Sequence, residues 1–324
     1  MTSSIPVLSR SERFLTKTLK LEHEANIFPL THVFLYYVLF FFFAFWQVHS
    51  FFLLAFLWIT FVLLNFSLTD GIMHMHSHRA LFASARCNRV LEFLLCFPSC
   101  VPFPVMKYAH TYIHHTFDNG PGDFTSTRGY ETGWRAVWYW IRYGYICTTR
   151  TRRALFAPDA KPFWRKLRVQ YARDSLVTTG LFLTYLAVNP HRMLYFYALP
   201  LAITHLSCSY FAWLTHAPAG EGPLDGSINN VNNLMGIFVH NQGYHSVHHR
   251  YPAIHWTDIP DKLEMMMRVD ESFIVPYWVT LPGAFRVVRP RAFRNTRFGR
   301  KWKKRYQKRR GQVRIRAIPY FIWV

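Results

Sequence analysis

The chain has 324 residues, 51% of them hydrophobic and 18% aromatic, with a formal net charge of +21. Its apolar residues are concentrated in blocks too long for the helices of a soluble domain, so the composition indicates an integral membrane protein. The five cysteines are odd in number and form no CxxC pair, which argues against a zinc ribbon or a disulfide framework.

The first half of the chain begins with a polar stretch and continues into two apolar ones. Residues 1–26 show no pattern of a cleavable signal peptide, and we expect them to form a cytoplasmic N-terminal segment. Residues 27–46 and 51–68 are each long enough to cross about 30 Å of hydrocarbon as a helix. Residues 90–105 are apolar but contain three prolines, so they predict a partly buried or re-entrant segment rather than a continuous helix.

The second half predicts an interfacial helix and two further spans. Residues 133–146 mix Trp and Tyr with Arg, which is typical of a helix lying in the membrane interface with its aromatic side inward. Residues 175–188 and 194–214 are apolar and are separated by an Asn-Pro-His-Arg turn. The prediction is therefore an all-α integral membrane protein with four transmembrane helices in two hairpins.

The distribution of charge gives this topology an orientation. The N-terminus, the loop of residues 70–174 and the C-terminal region carry the Lys and Arg excess, which predicts that they face the cytoplasm. We therefore divide the chain into an N-terminal segment (1–26), a catalytic membrane domain (27–285) and a basic cytoplasmic tail (286–324). In a soluble protein the tail would suit nucleic acid, but after membrane spans it is better explained as an anchor to anionic lipid, and no nucleic-acid partner is expected.

Histidines form clusters at three places on the predicted cytoplasmic side. In the first cluster, His74 and His78 are one helical turn apart, whereas His76 points elsewhere. In the second, the spacing predicts that His110 and His114 share a face, with His115 beside it. In the third, the histidines stand at positions i, i+3 and i+4, and a further one ends the fourth span; these four are His245, His248, His249 and His216.

Nine imidazoles are more than one metal ion can use, so the spacing indicates two metals in one cage with a helical cytoplasmic cap. A cluster of this kind differs from single histidines near span ends, which are usually polar interface residues. That interpretation applies to His23, His32, His49, His191 and His205.

As a set, the clusters resemble the HxxxH, HxxHH and HxxHH boxes of the membrane fatty-acid desaturase and hydroxylase superfamily. The resemblance extends from about residue 27 to residue 260, although the second box has three residues between its first histidine and its pair where many desaturases have two. The sequence around the third box is similar to the bacterial branch. The resemblance implies iron ligands at His74, His78, His110, His114, His115, His216, His245, His248 and His249.

Several polar residues lie near these boxes without being expected as direct ligands. Asp70, Asp118 and Asp123 are candidates to orient imidazoles through their free N–H groups. Asn241 either holds a metal-bound water or caps the following helix. His76 and His255 are expected around the site, the latter as a packed residue.

The resemblance implies an enzyme with two iron ions and O2 as co-substrate, removing hydrogen from unactivated C–H bonds of an acyl chain to form a double or triple bond. An acyl hydroxylase and a terminal-alkene-forming decarboxylase would use the same ligands, and a histidine-rich metal transporter is a remote alternative. The substrate would be a fatty acid or its thioester with CoA or a carrier protein. Candidate partners for a carboxylate or phosphate are Arg79, Lys107, Arg128 and Arg135, although plain surface charge explains each more simply.

The chain shows no haem, iron–sulfur or flavin motif, so its two electrons per turnover must come from a separate protein such as a ferredoxin or cytochrome b5. The basic face would attract an acidic donor. The expected location is a membrane, with a bacterial inner membrane favoured over the endoplasmic reticulum.

Overall fold

The computed structural model describes residues 17–131, 133–217, 226–227, 229 and 233–262. The basic tail predicted for 286–324 and residues 1–16 of the predicted N-terminal segment lie outside these ranges. Within these ranges the named secondary-structure elements are all helices, and an isolated antiparallel β-bridge joins Leu21 and Phe82. The expectation of an all-α protein is confirmed for this part of the chain.

The helices are numbered here in chain order. They are α1 (Ile27–Phe45), α2 (Phe51–His78), α3 (Ala85–Ser99), α4 (Phe103–Phe117), α5 (Gly133–Leu155), α6 (Arg165–Val188), α7 (Leu199–His216), α8 (Asn233–Val239) and α9 (His245–Arg250). Short 3-10 turns are Glu24–Asn26 and Pro162–Trp164, and Pro190–Met193 is a single helical turn. Three π-helical stretches interrupt the pattern: Ser67–Ile72 within α2, Met106–His114 within α4, and Leu194–Ala198 before α7.

Two of the described helices are long and apolar enough to cross a membrane, α1 with its preceding turn and α2. Helices α3 and α4 pass the same test only as a pair, bent by 91°. The bend follows Cys100, whose φ of 52° lies in the left-handed region, and Pro102 begins the next helix. The prediction that no continuous helix passes through residues 90–105 is therefore confirmed.

Helices α6 and α7 contain the predicted third and fourth spans but are not among the helices that pass this test. The reason is visible in α6, which begins at Arg165, ten residues earlier than the apolar stretch. Its first turns carry Arg and Lys, so the helix as a whole is less apolar than its second half.

An aromatic core holds the apolar helices together. Helix α2 packs against both α1 and α7. The rings of Tyr36 on α1 and Phe61 on α2 stack with centroids 4.8 Å apart, and both side chains are fully buried. Phe43 stacks on Phe196 at 4.4 Å. This packing fixes the direction of α2 and so the place where its histidines emerge.

Helix α5 is amphipathic, as expected, and extends to Leu155. Tyr139 is buried, whereas the side chain of Trp134 is 87% exposed. The aromatic residues are thus divided between the two faces, which corrects the prediction that they all point inward. The Tyr139 hydroxyl donates to the carbonyl of Thr125 at 2.8 Å and fixes the loop that follows the second histidine cluster.

Candidate metal centre

The first histidine cluster is built on the end of α2. The helix continues through its π-helical stretch, and His74 and His78 lie one turn apart in the final α-helical segment. Gly71 allows close packing here, because a Cβ atom would lie 2.5 Å from the carbonyl oxygen of Phe238 and 2.8 Å from Nδ1 of His240. The chain that leads into the third cluster can therefore approach α2 directly.

The second cluster lies on a π-helix, and this changes which histidines point together. In a π-helix the repeating bond joins residues i and i+5 where an α-helix joins i and i+4, so a residue five positions along the π-helix takes the place of one four positions along an α-helix. His110 and His115 accordingly point to one place and His114 to another. The sequence predicted a shared face for His110 and His114. Their rings are neighbours, with centroids 5.3 Å apart, but their nitrogen atoms point to different places.

The third cluster is a regular α-helical turn, α9, and divides in the same way. His245 and His249, four residues apart, point to one place, and His248 points to the other. In both clusters the first and last histidines therefore act together and the middle one apart. The π-helix absorbs the extra residue of the second cluster and makes it equivalent to the third.

These directions gather nine imidazoles into two groups, within each of which the nitrogen atoms lie within 4.8 Å of one another. The five-histidine group is His74, His78, His110, His115 and His248. The four-histidine group is His114, His216, His245 and His249. Every histidine named from the sequence as an iron ligand belongs to one of the two groups.

Short distances between Nε2 atoms are found in both groups. In the five-histidine group, Nε2 of His248 lies 2.8 Å from that of His74 and 3.0 Å from that of His115. In the four-histidine group, Nε2 of His216 lies 2.8 Å from that of His245 and 3.0 Å from that of His114. Two nitrogens bound at right angles to one metal, each about 2.1 Å from it, would be about 3.0 Å apart.

The opposite nitrogens show that the contact between His114 and His216 is not a hydrogen bond between imidazoles. Nδ1 of His216 lies 2.7 Å from the carbonyl oxygen of Gly226, which can only accept, so Nδ1 carries the proton. Nδ1 of His114 lies 2.7 Å from Oδ2 of Asp123. In the neutral form of both rings, the two facing Nε2 atoms are bare lone pairs 3.0 Å apart. A cation between them converts this repulsion into ligation.

Two carboxylates complete the surroundings of the four-histidine group. Asp118 Oδ1 lies 2.9 Å from Nδ1 of His249. Asp123 is also bound by the hydroxyl of Thr125 at 2.6 Å. Burial acts to raise the pKa of Asp123, but the hydrogen bond and charge interaction with His114 and the hydrogen bonds from Thr125 together outweigh it and leave that pKa lowered. Burial raises the pKa of Asp118 to about 6. Both carboxylates are mainly ionised at neutral pH. Asp123 accepts a hydrogen bond from Nδ1 of His114, whereas the contact of Asp118 with His249 is an ion-pair distance without hydrogen-bond geometry.

Burial also favours the ligating form of the imidazoles. It lowers the pKa values of His245, His248 and His249 well below the ordinary value, and the neighbouring imidazoles lower them further. The rings are therefore neutral at physiological pH, which is the protonation state in which imidazole binds a metal.

The remaining residues named from the sequence lie outside the two groups. Nδ1 of His76 accepts from the backbone N–H of Leu81, and His255 contacts Asn26 and Thr257. The amide of Asn241 donates to the carbonyl of Trp256 at 3.0 Å. Its side chain does not cap α9, whose N-cap residue is Tyr244.

Sequence reasoning missed two partners of the histidines. Thr125 could have been suspected from its position two residues after Asp123, where a hydroxyl commonly bonds the carboxylate. The carbonyl of Gly226 had no signal, because every residue carries one.

A cavity of about 110 Å³ reaches both groups. It runs between α2, α4, α5 and α7, and His74, His110, His114, His216 and His245 contribute to its wall. His205, which the sequence suggested to be a residue of the membrane interface, lines it and contacts the carbonyl of Ser99 at 2.7 Å. No Lys or Arg is among its lining residues in the described part of the chain.

Two groups of converging imidazoles that could each hold a metal ion lie beside an internal cavity, on a helical scaffold in which two helices are long and apolar enough to cross a membrane. Comparison with known families agrees, since the model of the fatty acid desaturase family matches residues 50–281. The chain belongs to the fatty acid desaturase family. A search of curated proteins found no significant match.

Proposed function

We propose that this protein is a membrane di-iron oxidoreductase that desaturates an acyl chain with O2. The observation that carries the proposal is the convergence of nine imidazole nitrogens into two groups, in one of which the lone pairs of His114 and His216 face each other and need a cation between them. Membership of the fatty acid desaturase family supports the substrate class.

The number of ligands favours iron over zinc. Structural and catalytic zinc is almost always bound by four ligands or fewer from the protein. The five-histidine group offers five imidazoles, which suits a metal of higher coordination number. We assign the five-histidine group to one iron and the four-histidine group to the other.

The bound irons would supply activation of O2 for the removal of two hydrogens from adjacent carbons. The reaction balances when one O2, two external electrons and two protons, together with the two substrate hydrogens, give two waters and a double bond. The residues of the chain have a positional task. Asp123, Asp118 and the carbonyl of Gly226 hold three imidazoles in one tautomer and orientation.

The cavity is the proposed place for the acyl chain. Val101, Val105, Met106 and Phe211 give part of its wall an apolar character suited to methylene groups. Because no Lys or Arg lines it in the described part of the chain, an anionic head group would remain outside. Burial of the chain excludes water from the reacting carbons.

The membrane topology and the partners belong to the same proposal. Four spans in two hairpins with the histidines on the cytoplasmic side would let a separate electron donor reach the metal groups. The net charge of +21 supports docking of an acidic ferredoxin or cytochrome b5. Turnover equally fast at low and high salt would contradict this electrostatic docking.

Product analysis tests the reaction. The purified protein in lipid, supplied with iron, O2, an electron donor and acyl substrates, should give a product two hydrogens lighter by mass spectrometry. Gain of one oxygen would assign a hydroxylase, and loss of the carboxyl carbon would assign the terminal-alkene-forming decarboxylase. Metal transport into vesicles without any acyl product would contradict the proposal.

A further inference from the structure

Asp70 is an acid in the cavity wall that the metal groups do not use. It lies in the π-helical stretch of α2 and lines the cavity together with histidines of both groups. Its Oδ2 atom is buried and has no hydrogen-bond partner among the described residues. The sequence suggested that Asp70 orients an imidazole, but no histidine nitrogen of the described chain lies within ion-pair distance of it.

The neighbouring polar groups of the cavity wall are already occupied elsewhere. The hydroxyl of Thr69 donates to the Asn65 side chain, that of Ser209 to the carbonyl of His205, and that of Thr148 to a backbone carbonyl of its own helix. Each of these hydroxyl groups therefore donates its hydrogen bond to an acceptor other than Asp70. Lys and Arg are absent from the described cavity wall, so no cationic side chain there compensates the carboxylate.

A buried carboxylate without a donor is strongly unfavourable, whereas one that accepts a hydrogen bond is not. A wholly apolar acyl chain offers no donor and would increase the cost of burying Asp70. A chain that carries an O–H or N–H group at the right depth would remove that cost and would also be fixed in position along the cavity.

We propose that Asp70 recognises a hydrogen-bond donor, a hydroxyl or an ammonium group, carried along the substrate chain near the reacting carbons. The identification of the cavity as the substrate site rests on the proposed function. The substrate class is then a chain that is already functionalised, and a preceding reaction must have introduced its oxygen or nitrogen.

Binding measurements on the full-length protein in detergent test this assignment. The assay measures displacement of a bound fluorescent fatty acid. The competitors are hexadecanoic acid, a series of hexadecanoic acids with one hydroxyl at different positions, and the amino counterpart of the best hydroxylated chain. Wild type, Asp70→Leu and the control Cys208→Ala, which changes the same cavity and leaves the carboxylate in place, would be compared. Iron content would be measured on the same samples.

We expect wild type to bind the best donor-bearing chain at least about tenfold more tightly than hexadecanoic acid. Asp70→Leu should lose that preference and bind hexadecanoic acid at least as well as wild type does, while Cys208→Ala keeps the preference. The stronger of the hydroxyl and amino chains identifies the donor.

Equal affinity of wild type for plain and donor-bearing chains, or a preference that survives in Asp70→Leu, would overturn the assignment. If Asp70→Leu does not yield folded protein, Asp70→Asn serves instead, with an unchanged preference for the charged amino chain as the contradicting result. Wild type without iron but with the expected preference would contradict the di-iron function and leave the role of Asp70 standing.

Discussion

The two histidine groups differ in how their imidazoles are arranged to hold a metal ion. The four-histidine group has fewer imidazoles, but three of its Nδ1 atoms face acceptors, at Asp123, Asp118 and the carbonyl of Gly226. The five-histidine group has one more imidazole, yet among the described residues no carboxylate lies within 4.0 Å of any of its rings. The four-histidine group relies on the orientation of its imidazoles, and the five-histidine group relies on a larger number of imidazoles. The difference predicts that they respond unequally to the same kind of damage.

Removal of one ligand from each group should give the largest contrast. His216→Ala leaves three imidazoles in the four-histidine group, and we expect that variant to retain about one iron per chain. His78→Ala leaves four in the five-histidine group, enough to hold a metal, so iron content should stay near that of wild type with faster release to a chelator. Elemental analysis and chelator kinetics measure both, and equal iron loss in the two variants would remove the distinction.

Removal of an orienting carboxylate should weaken one group without altering any ligand. Asp123→Asn deprives His114 of a charged acceptor, and we expect the affinity for one iron to fall by about 10- to 100-fold. The matched control is Asp258→Asn. Asp258 is exposed, and its carboxylate accepts a hydrogen bond from Thr257, which belongs to neither group. Metal titration compares them. A second iron weakened to the same extent would show that the carboxylate acts on the fold rather than on its own group.

Lowering the pH should produce a smaller difference in iron retention between the two groups. Asp118 attracts the Nδ1–H group of His249 electrostatically only while it is ionised, and its pKa is about 6. As the pH falls through 6 the carboxylate becomes neutral, so the four-histidine group should release iron at a higher pH than the five-histidine group. Asp118→Asn should remove this first step and leave the second. Iron retained after buffer exchange between pH 7.5 and pH 5 shows the order, and a single common step in wild type would contradict it.

The smallest expected effect comes from a deletion. Removing Tyr112 shortens the second cluster to the spacing of the third, and the π-helical stretch can then become α-helical without changing which histidines act together. Iron content should change by no more than a few-fold relative to Tyr112→Ala, which removes the same side chain at the original spacing. Loss of both irons in the deletion, with both retained in the substitution, would show that the π-helix has no such compensating role.

Much of the fold followed from hydropathy. The first span was predicted as residues 27–46 and is observed as Ile27–Phe45, because an unbroken apolar stretch leaves little choice of boundary. The second was expected to stop near residue 68, but α2 continues to His78, since polar Asp70 and the histidines end the hydropathy signal without ending the backbone hydrogen bonding. The division of aromatic residues on α5 was missed because both faces of that helix carry Trp and Tyr.

The site was predictable in membership but not in arrangement. Spacing and resemblance named all nine imidazoles. The division of the second cluster between the two groups depended on a π-helix, which no residue type in the sequence predicts. Of the three acids named to orient imidazoles, Asp118 and Asp123 lie beside Nδ1 atoms and Asp70 does not. That difference depends on how α2 packs against α7 and α8, which is a tertiary property.

The most direct test of the central claim is the metal content of the purified wild-type protein beside that of a His248→Ala, His249→Ala double variant. These two residues belong to different groups, so the double variant damages both at once. We predict about two irons per wild-type chain and about one in the double variant, because four imidazoles remain in the five-histidine group and three in the four-histidine group. Wild type without tightly bound metal, or with zinc in both proteins, would contradict the di-iron account.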